Sequence, residues 1–203
     1  RFTLIQEKAE FISPHEIRIG DKTLKAKSFI IATGSVIADY PILGLEETGF
    51  VTSDDVLKMR EAPESIIVLG AGAVAVELAQ FLLRIGVKVT LLQRSSHILS
   101  SGDEDLARTV EIRLRKEGMN LYTGTKLLRT EKDEEKPVVY FQHEGKEKNV
   151  RAQLILQALG RRPNIDSLQL DSAGVKTQKG CVTVDAKMKT NQPHIFAVGD
   201  VNG

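Results

Sequence analysis

The chain has no tryptophan, one cysteine and four histidines among its 203 residues. A single thiol excludes an intrachain disulfide. Cys181 follows Gly180 just ahead of a short apolar run, so it reads as a structural or incidental thiol rather than a nucleophile. His15 and His194 lie beside prolines, His97 in a post-strand loop and His143 near a hairpin. We read all four as surface residues and expect no metal site. The formal net charge is only +1, so no global field directs the chain to nucleic acid or to an anionic membrane. No apolar run approaches the ~20 residues that span a bilayer. The sequence opens at Arg1 with neither methionine nor a charged-then-apolar segment, and it stops at Asp200-Val201-Asn202-Gly203. We therefore expect a piece of a longer protein.

What is present is ordinary for a soluble globular protein: 41% hydrophobic and 27% charged residues. The length allows one to two domains with a sizeable core. Lys8 to Ile12, Glu16 to Ile19 and Thr23 to Ala32 alternate apolar and polar residues, with Gly20-Asp21 as a hairpin turn. Ser28 to Ala32 is a short apolar run stopped by Thr33-Gly34, the pattern of a buried strand. Ser53-Asp54-Asp55 predicts a capped helix start.

From Ser65 the period changes. Ile66 to Leu69 is a continuous apolar strand, Gly70 to Ala73 a turn, Val74 to Arg84 a helix, and Val87 to Leu92 a second apolar strand. Val74, Leu78, Phe81 and Leu82 are expected on the buried helix face. This is one βαβ unit. A second amphipathic helix follows over Glu104 to Glu117, with Leu106, Val110 and Leu114 as its core face. Met119 to Tyr122, Lys126 to Arg129, Val138 to His143, Leu154 to Ala158, Val182 to Val184 and Ile195 to Ala197 read as strands.

The run Gly70-Ala71-Gly72-Ala73-Val74-Ala75-Val76-Glu77 follows a buried strand and opens a helix, the context a dinucleotide fingerprint requires. Gly70 permits the tight turn. Gly72 has no side chain, so a pyrophosphate can lie against the backbone, and Ala75 lets the helix pack close to the strand. The helix N-terminus offers free N–H groups and a partial positive charge to phosphates. The bland alternative is a glycine turn that binds nothing. At the end of the second strand an NAD site usually places an acid, roughly 20 residues on, to hold the ribose 2′-hydroxyl. Here Leu91-Leu92-Gln93-Arg94-Ser95-Ser96 has none. Arg94 with two serines suits a 2′-phosphate, so NADPH is expected over NADH.

Four pieces, in order, resemble the class I pyridine nucleotide-disulfide oxidoreductase family, which includes dihydrolipoamide dehydrogenase, glutathione reductase and mercuric reductase. Ile30-Ile31-Ala32-Thr33-Gly34-Ser35 is similar to the strand that leaves the family's FAD domain. Gly70 to Glu77 is similar to its nucleotide fingerprint. Ala158-Leu159-Gly160-Arg161-Arg162-Pro163-Asn164 is similar to its strand-end loop beside the nicotinamide. Thr190-Asn191 through Ile195-Phe196-Ala197-Val198-Gly199-Asp200 is similar to its second FAD motif. Glu77-Leu78-Ala79-Gln80 and Gln93-Arg94 most resemble mercuric reductase-like members. Ala75 with Arg94 resembles the NADPH-using branch, although Ser100 stands where a second arginine is found in glutathione reductase.

The resemblance implies an α/β fold: a Rossmann-like NAD(P)-binding domain with a central parallel sheet and an antiparallel β meander, flanked by partial FAD-domain strands. It implies a partial FAD-domain segment over 1–50, the NAD(P) domain over 51–165 and a return to the FAD domain over 166–203. Thr33, Gly34 and Ser35 would line FAD, with Gly199 beside them, and Asp200 would accept a hydrogen bond from its ribityl or pyrophosphate region. Gly70, Ala71, Gly72, Val74 and Ala75 would hold NADP or NAD. Glu77 would lie near the nicotinamide and flavin edge, Gly160 would let the nicotinamide ribose approach the backbone, and Leu127 matches an adenine-side position. No catalytic residue is assigned within the chain. The redox cysteine pair, the acid–base histidine and a homodimer interface in a C-terminal domain are expected outside it, in a cytoplasmic protein without nucleic-acid or membrane partners. Two alternatives stay open: a nucleotide-binding module without catalysis of its own, and a flavoprotein of NAD(P)H oxidase type.

Overall fold

The computed structural model describes residues 2–203; Arg1, the expected mid-protein start, lies outside the described residues. The chain divides into two compact units, one formed by the residues up to Ala38 together with Arg161–Gly203, the other by Asp39–Gly160. The sequence reading drew its breaks after residues 50 and 165. Compactness places Asp39–Phe50 in the second unit and Arg161–Ile165 in the first.

In chain order the first unit begins with an antiparallel meander of β1 (Ala9–Ser13), β2 (Glu16–Ile19) and β3 (Lys22–Lys25), followed by β4 (Phe29–Ile31) and β5 (Ser35–Ile37). The expected strand over Thr23 to Ala32 is thus two strands. The second unit holds α1 (Leu45–Thr48), α2 (Ser53–Val56), β6 (Ser65–Leu69), α3 (Ala73–Arg84), β7 (Lys88–Leu92), α4 (Glu104–Lys116), β8 (Asn120–Tyr122), β9 (Lys126–Asp133), β10 (Lys136–His143), β11 (Lys146–Arg151) and β12 (Leu154–Gln157). The first unit resumes with β13 (Arg161–Pro163), β14 (Thr177–Gln178), β15 (Cys181–Val182) and β16 (Ile195–Ala197).

The second unit has three layers. Its parallel sheet runs β12-β6-β7-β8, and an antiparallel meander runs β11-β10-β9. Alternation along β6 decides which layer each residue meets. Ile66 and Val68 pack with Ala75, Leu78, Ala79 and Leu82 of α3 and with Ala107 and Leu114 of α4. Ile67 and Leu69 pack on the opposite face with Val139 and Phe141 of β10 and with Leu45. Both faces are covered, which is why β6, β7 and β12 read as continuous apolar runs rather than alternating ones.

Two helix faces differ from expectation. On α3 the buried stripe is Ala75, Val76, Leu78, Ala79 and Leu82; Val74 is 46% exposed and Phe81 53%. The small side chains of Ala75 and Ala79 let the helix axis come close to the sheet, and that rotates the flanking large residues outward. On α4 the core contacts are Ala107 and Leu114, with Val110 partly packed, whereas Leu106 is 70% exposed. Val110 and Leu114 hold their expected places, and only the first position differs, with Ala107 facing the core in place of Leu106. The cap of α2 is Thr52 rather than Ser53: Thr52 accepts from the Asp55 N–H while the Asp55 carboxylate accepts from the Thr52 N–H, a reciprocal capping box.

In the first unit β4 and β16 pair in parallel, Phe29 with Ile195 and Ile31 with Ala197. Ile31, Ile195 and Ala197 enter a core with Phe11, Leu168, Val175, Val182 and Val201. Ile30 points the other way and is 71% exposed, so this strand is buried on one face only.

Candidate dinucleotide site

Three parallel strands end at one edge of the second unit. The turn after β6 carries Gly70–Gly72, the chain after β7 carries Arg94, and the chain after β12 carries Gly160. Because β6 lies between β7 and β12, the crevice opens where the strand order reverses, the usual ligand position in an open α/β sheet. A cavity of about 420 Å³ lies here. It is lined by Gly70, Ala71 and Gly72; by Gln93, Arg94, Ser95 and Ser100; by Thr125, Lys126 and Leu127; by Tyr40, Pro41 and Ile42; and by Ala158, Leu159 and Gly160.

The two glycines of the turn do different things. Gly70 has φ +99°, and a Cβ there would lie 2.5 Å from the Ala158 carbonyl oxygen and 3.0 Å from its carbon. Its lack of a side chain serves the fold, holding β6 against β12. Gly72 has φ −71° and ψ −179°, an extended conformation open to any residue. A Cβ there would meet no protein atom within 4 Å. Neither strain nor packing demands glycine at position 72; what the residue keeps clear is space beside the first turn of α3. The N–H groups of that turn have no carbonyl four residues back and face a dipole-favoured anion position.

The backbone at the β7 end is held in place. The Gln93 N–H donates to the Tyr122 carbonyl at 2.8 Å, and the Gln93 carbonyl accepts from Thr125 N–H at 2.9 Å and from its hydroxyl at 3.0 Å. This ties the end of β7 to the start of β9 and sets Arg94 and Lys126 in one lining. The Leu99 N–H donates to the Ala71 carbonyl at 2.8 Å, which folds the loop back and returns Ser100 to the turn. The lining carries two cations and no carboxylate. Of the expected residues, Gly70, Ala71, Gly72, Arg94, Leu127 and Gly160 meet here. Ala75 is buried against the sheet, and Val74 and Glu77 lie exposed on α3 outside the lining. Sequence reasoning missed Lys126 and Tyr40. No local pattern announces that β9 starts beside the end of β7.

A second cluster lies in the first unit. The parallel register of β4 and β16 brings Thr33-Gly34-Ser35 and Gly199-Asp200 to the same strand ends. The Ser35 hydroxyl donates to Asp200 Oδ2 at 2.7 Å. Arg161 Nε donates to Ser35 Oγ at 2.8 Å and its Nη2 to the Ser35 carbonyl at 2.9 Å. The Asn164 N–H donates to the Gly34 carbonyl at 2.9 Å and its side-chain amide to the Thr33 carbonyl at 3.3 Å. Arg161 and Asn164 thus clamp the Thr33–Ser35 turn, a role the sequence did not suggest. Gly34 and Gly199 both have positive φ, and a Cβ at either would meet nothing within 4 Å.

His15 is exposed, but His97, His143 and His194 are half-buried, contrary to expectation. The rings of His15 and His194 stack at 4.0 Å, with His194 Nε2 at 2.7 Å from the Pro14 carbonyl. Among the described residues no group of three or more His, Cys, Asp or Glu is placed to hold a metal ion. Among the described residues no helix is long and apolar enough to cross a membrane.

Comparison with known proteins accords with this geometry. Residues 1–203 match the family described as pyridine nucleotide-disulphide oxidoreductase. A mercuric reductase from Staphylococcus aureus is 36% identical over 201 residues, covering 98% of this chain and 37% of the relative. A dihydrolipoyl dehydrogenase from Thermus scotoductus is 37% identical over 208 residues, covering 98% of this chain and 44% of the relative. The solved Cu(II) complex of RclA, an HOCl-induced flavoprotein disulfide reductase of Escherichia coli, superposes with a TM-score of 0.87 at 30% identity, over 97% of this chain and 45% of that one. The chain therefore spans less than half the length of these relatives. It belongs to the pyridine nucleotide-disulphide oxidoreductase family.

Proposed function

We propose that the second unit binds NADPH, and that the whole protein passes hydride from it to an FAD held in part by the first unit, for reduction of a disulfide or another acceptor. The observation that carries this reading is the strand-end cavity: an open space at Gly72, two cations and no acid. Gly70, Ala71 and Gly72 would receive the pyrophosphate at the N-terminus of α3. Val74 and Ala75 set the first turn of that helix. Arg94 and Lys126 would hold the 2′-phosphate, with Ser95 and Ser100 as further donors. Leu127 would face the adenine side and Gly160 the nicotinamide ribose. Glu77 would lie toward the nicotinamide.

The clear space above Gly34 and Gly199 suits a flavin nucleotide in the first unit. Thr33, Gly34 and Ser35 would line it, and Asp200, oriented by Ser35, which Arg161 in turn holds, would accept from a ribityl hydroxyl. The hydride chemistry is supplied by nicotinamide and flavin when bound; the residues of this chain bind and orient them. The whole protein is proposed to act as a homodimer, with its redox pair and acid–base group on segments beyond this chain. Titration calorimetry tests the cofactor choice. A hydrogen bond to a charged group contributes roughly 1.5–3 kcal/mol, so NADPH should bind about one to two decades more tightly than NADH. Equal affinities refute the assignment.

A further inference from the structure

We infer that Tyr40 is a cofactor-positioning residue whose ring forms the wall against which the nicotinamide half of the dinucleotide packs. The inference rests on the dinucleotide reading above and deepens it. Tyr40 lies before the fingerprint, in a connector with no motif of its own, yet it lines the cavity beside Gly160. A Cβ at Gly160 would sit 3.7 Å from the Tyr40 hydroxyl and 3.9 Å from its Cε2, so the ring stands across this glycine at van der Waals distance. Tyr40 is the one aromatic residue in the lining, and it stays 45% exposed. An aromatic face left half open at a cavity mouth is available to a planar ligand.

The strap that carries it is fixed. The Ile42 N–H donates to the Tyr40 carbonyl at 2.8 Å across Pro41, and the Thr130 N–H donates to the Leu43 carbonyl at 2.8 Å. Leu43 bridges Arg129 of β9, and Gly44 sits so close to the Thr130 carbonyl that no Cβ fits. Tyr40 is therefore presented to the cavity by a seated segment rather than a free loop.

Sheet order says which end of the ligand it meets. Arg94 follows β7 and Gly160 follows β12, on opposite sides of β6. Neighbouring strands are about 4.8 Å apart, so the two residues stand about 10 Å apart with the Gly70–Gly72 turn between them. A dinucleotide whose pyrophosphate lies at Gly72 and whose 2′-phosphate lies at Arg94 sends its nicotinamide half toward Gly160 and Tyr40.

The test compares two probes on the full 203-residue chain by titration calorimetry: NADPH, and adenosine 2′,5′-bisphosphate, which lacks the nicotinamide half. Tyr40→Ala should weaken NADPH about tenfold, equivalent to about 1.4 kcal/mol, and leave the bisphosphate within about twofold. Tyr40→Phe keeps the ring and should bind both as the parent does. Arg94→Ala should weaken both probes alike. An equal loss of both probes in Tyr40→Ala would show a merely structural role and overturn the inference, as would undiminished NADPH binding. If the parent chain binds neither probe, the dinucleotide reading itself falls, a result separable from loss of the Tyr40 contact alone.

Discussion

Replacing Gly70 and Gly72 by alanine, one at a time, should give opposite phenotypes. At Gly70 the new methyl must adopt φ +99° and lie 2.5 Å from a backbone oxygen of Ala158. Positive φ costs an L-residue roughly 1–2 kcal/mol, and forcing an atom into a packed site costs typically 1–3 kcal/mol. The obstruction is backbone just past the end of β12, the strand neighbouring β6, so it is not relieved by a side-chain rotation. We expect Gly70→Ala to lose about 2–5 kcal/mol. For a chain of this size 1 kcal/mol corresponds to about 2–4 °C in Tm, so the fall should be on the order of 10 °C. At Gly72 the backbone is unstrained and the methyl meets nothing. Gly72→Ala should lower Tm by no more than about 4 °C, since alanine is a poorer N-cap than glycine by about 1 kcal/mol, but it should fill the space beside the first turn of α3 and weaken NADPH at least tenfold. Thermal unfolding by circular dichroism and calorimetry on both variants decide it. Equal losses of stability, or NADPH binding undisturbed in Gly72→Ala, would refute the division of labour between the two glycines.

Lys126→Ala should narrow the preference for NADPH over NADH about as much as Arg94→Ala, with NADH affinity within twofold of the parent, measured by competitive calorimetry. Glu117 accepts from Arg84 at 2.9 Å and from Arg113 at 2.6 Å; the Arg84 guanidinium first, then that of Arg113, hold its carboxyl at about 2, below the ordinary 4.5. Its contribution is therefore complete above pH 4.5 and lost as pH falls toward 2; urea midpoints at pH 7 and pH 3 should show Glu117→Gln removing part of this acid sensitivity. Leu114 is fully buried between α4 and the sheet, and Leu114→Ala should cost about 2–5 kcal/mol by cavity formation, read from a urea titration. Thr52→Ala removes a reciprocal cap and should cost about 1 kcal/mol, visible as a lower urea midpoint with unchanged slope.

The features written in contiguous residues were legible before any coordinates. The βαβ unit lies within a residue or two of its expected bounds, because a covered parallel sheet makes β6 and β7 unbroken apolar runs and a glycine turn separates them from an amphipathic helix. Helix rotation was less legible. Counting Val74 and Phe81 as core presumed that the largest apolar side chains face the sheet, whereas Ala75 and Ala79 take that place by allowing closer approach. Exposed Leu106 misled in the same way. The cavity-lining residues that escaped, Lys126 and Tyr40, are delivered by tertiary contacts: the Gln93–Thr125 hydrogen bonds for one, the seating of Leu43 and Gly44 on β9 for the other. Arg161 was read with its own motif, and only the pairing of β13 with β5 reveals that it grips Ser35.

That pairing also bears on how the chain is made. Ser35 and Asp200 are 165 residues apart in sequence, and among the described residues β4 pairs with β16 alone. The Asp39–Gly160 unit, by contrast, holds all four strands of its parallel sheet internally. It can fold while the tail is still being synthesised, and the Tyr40–Gly160 contact then draws its two ends together. Loop-closure entropy grows with the length of free chain enclosed, so a folded insert shortens the gap that the first unit must bridge. Pairing of β4 with β16 would then follow folding of the Asp39–Gly160 unit, whereas β1, β2 and β3 pair among themselves without waiting for it.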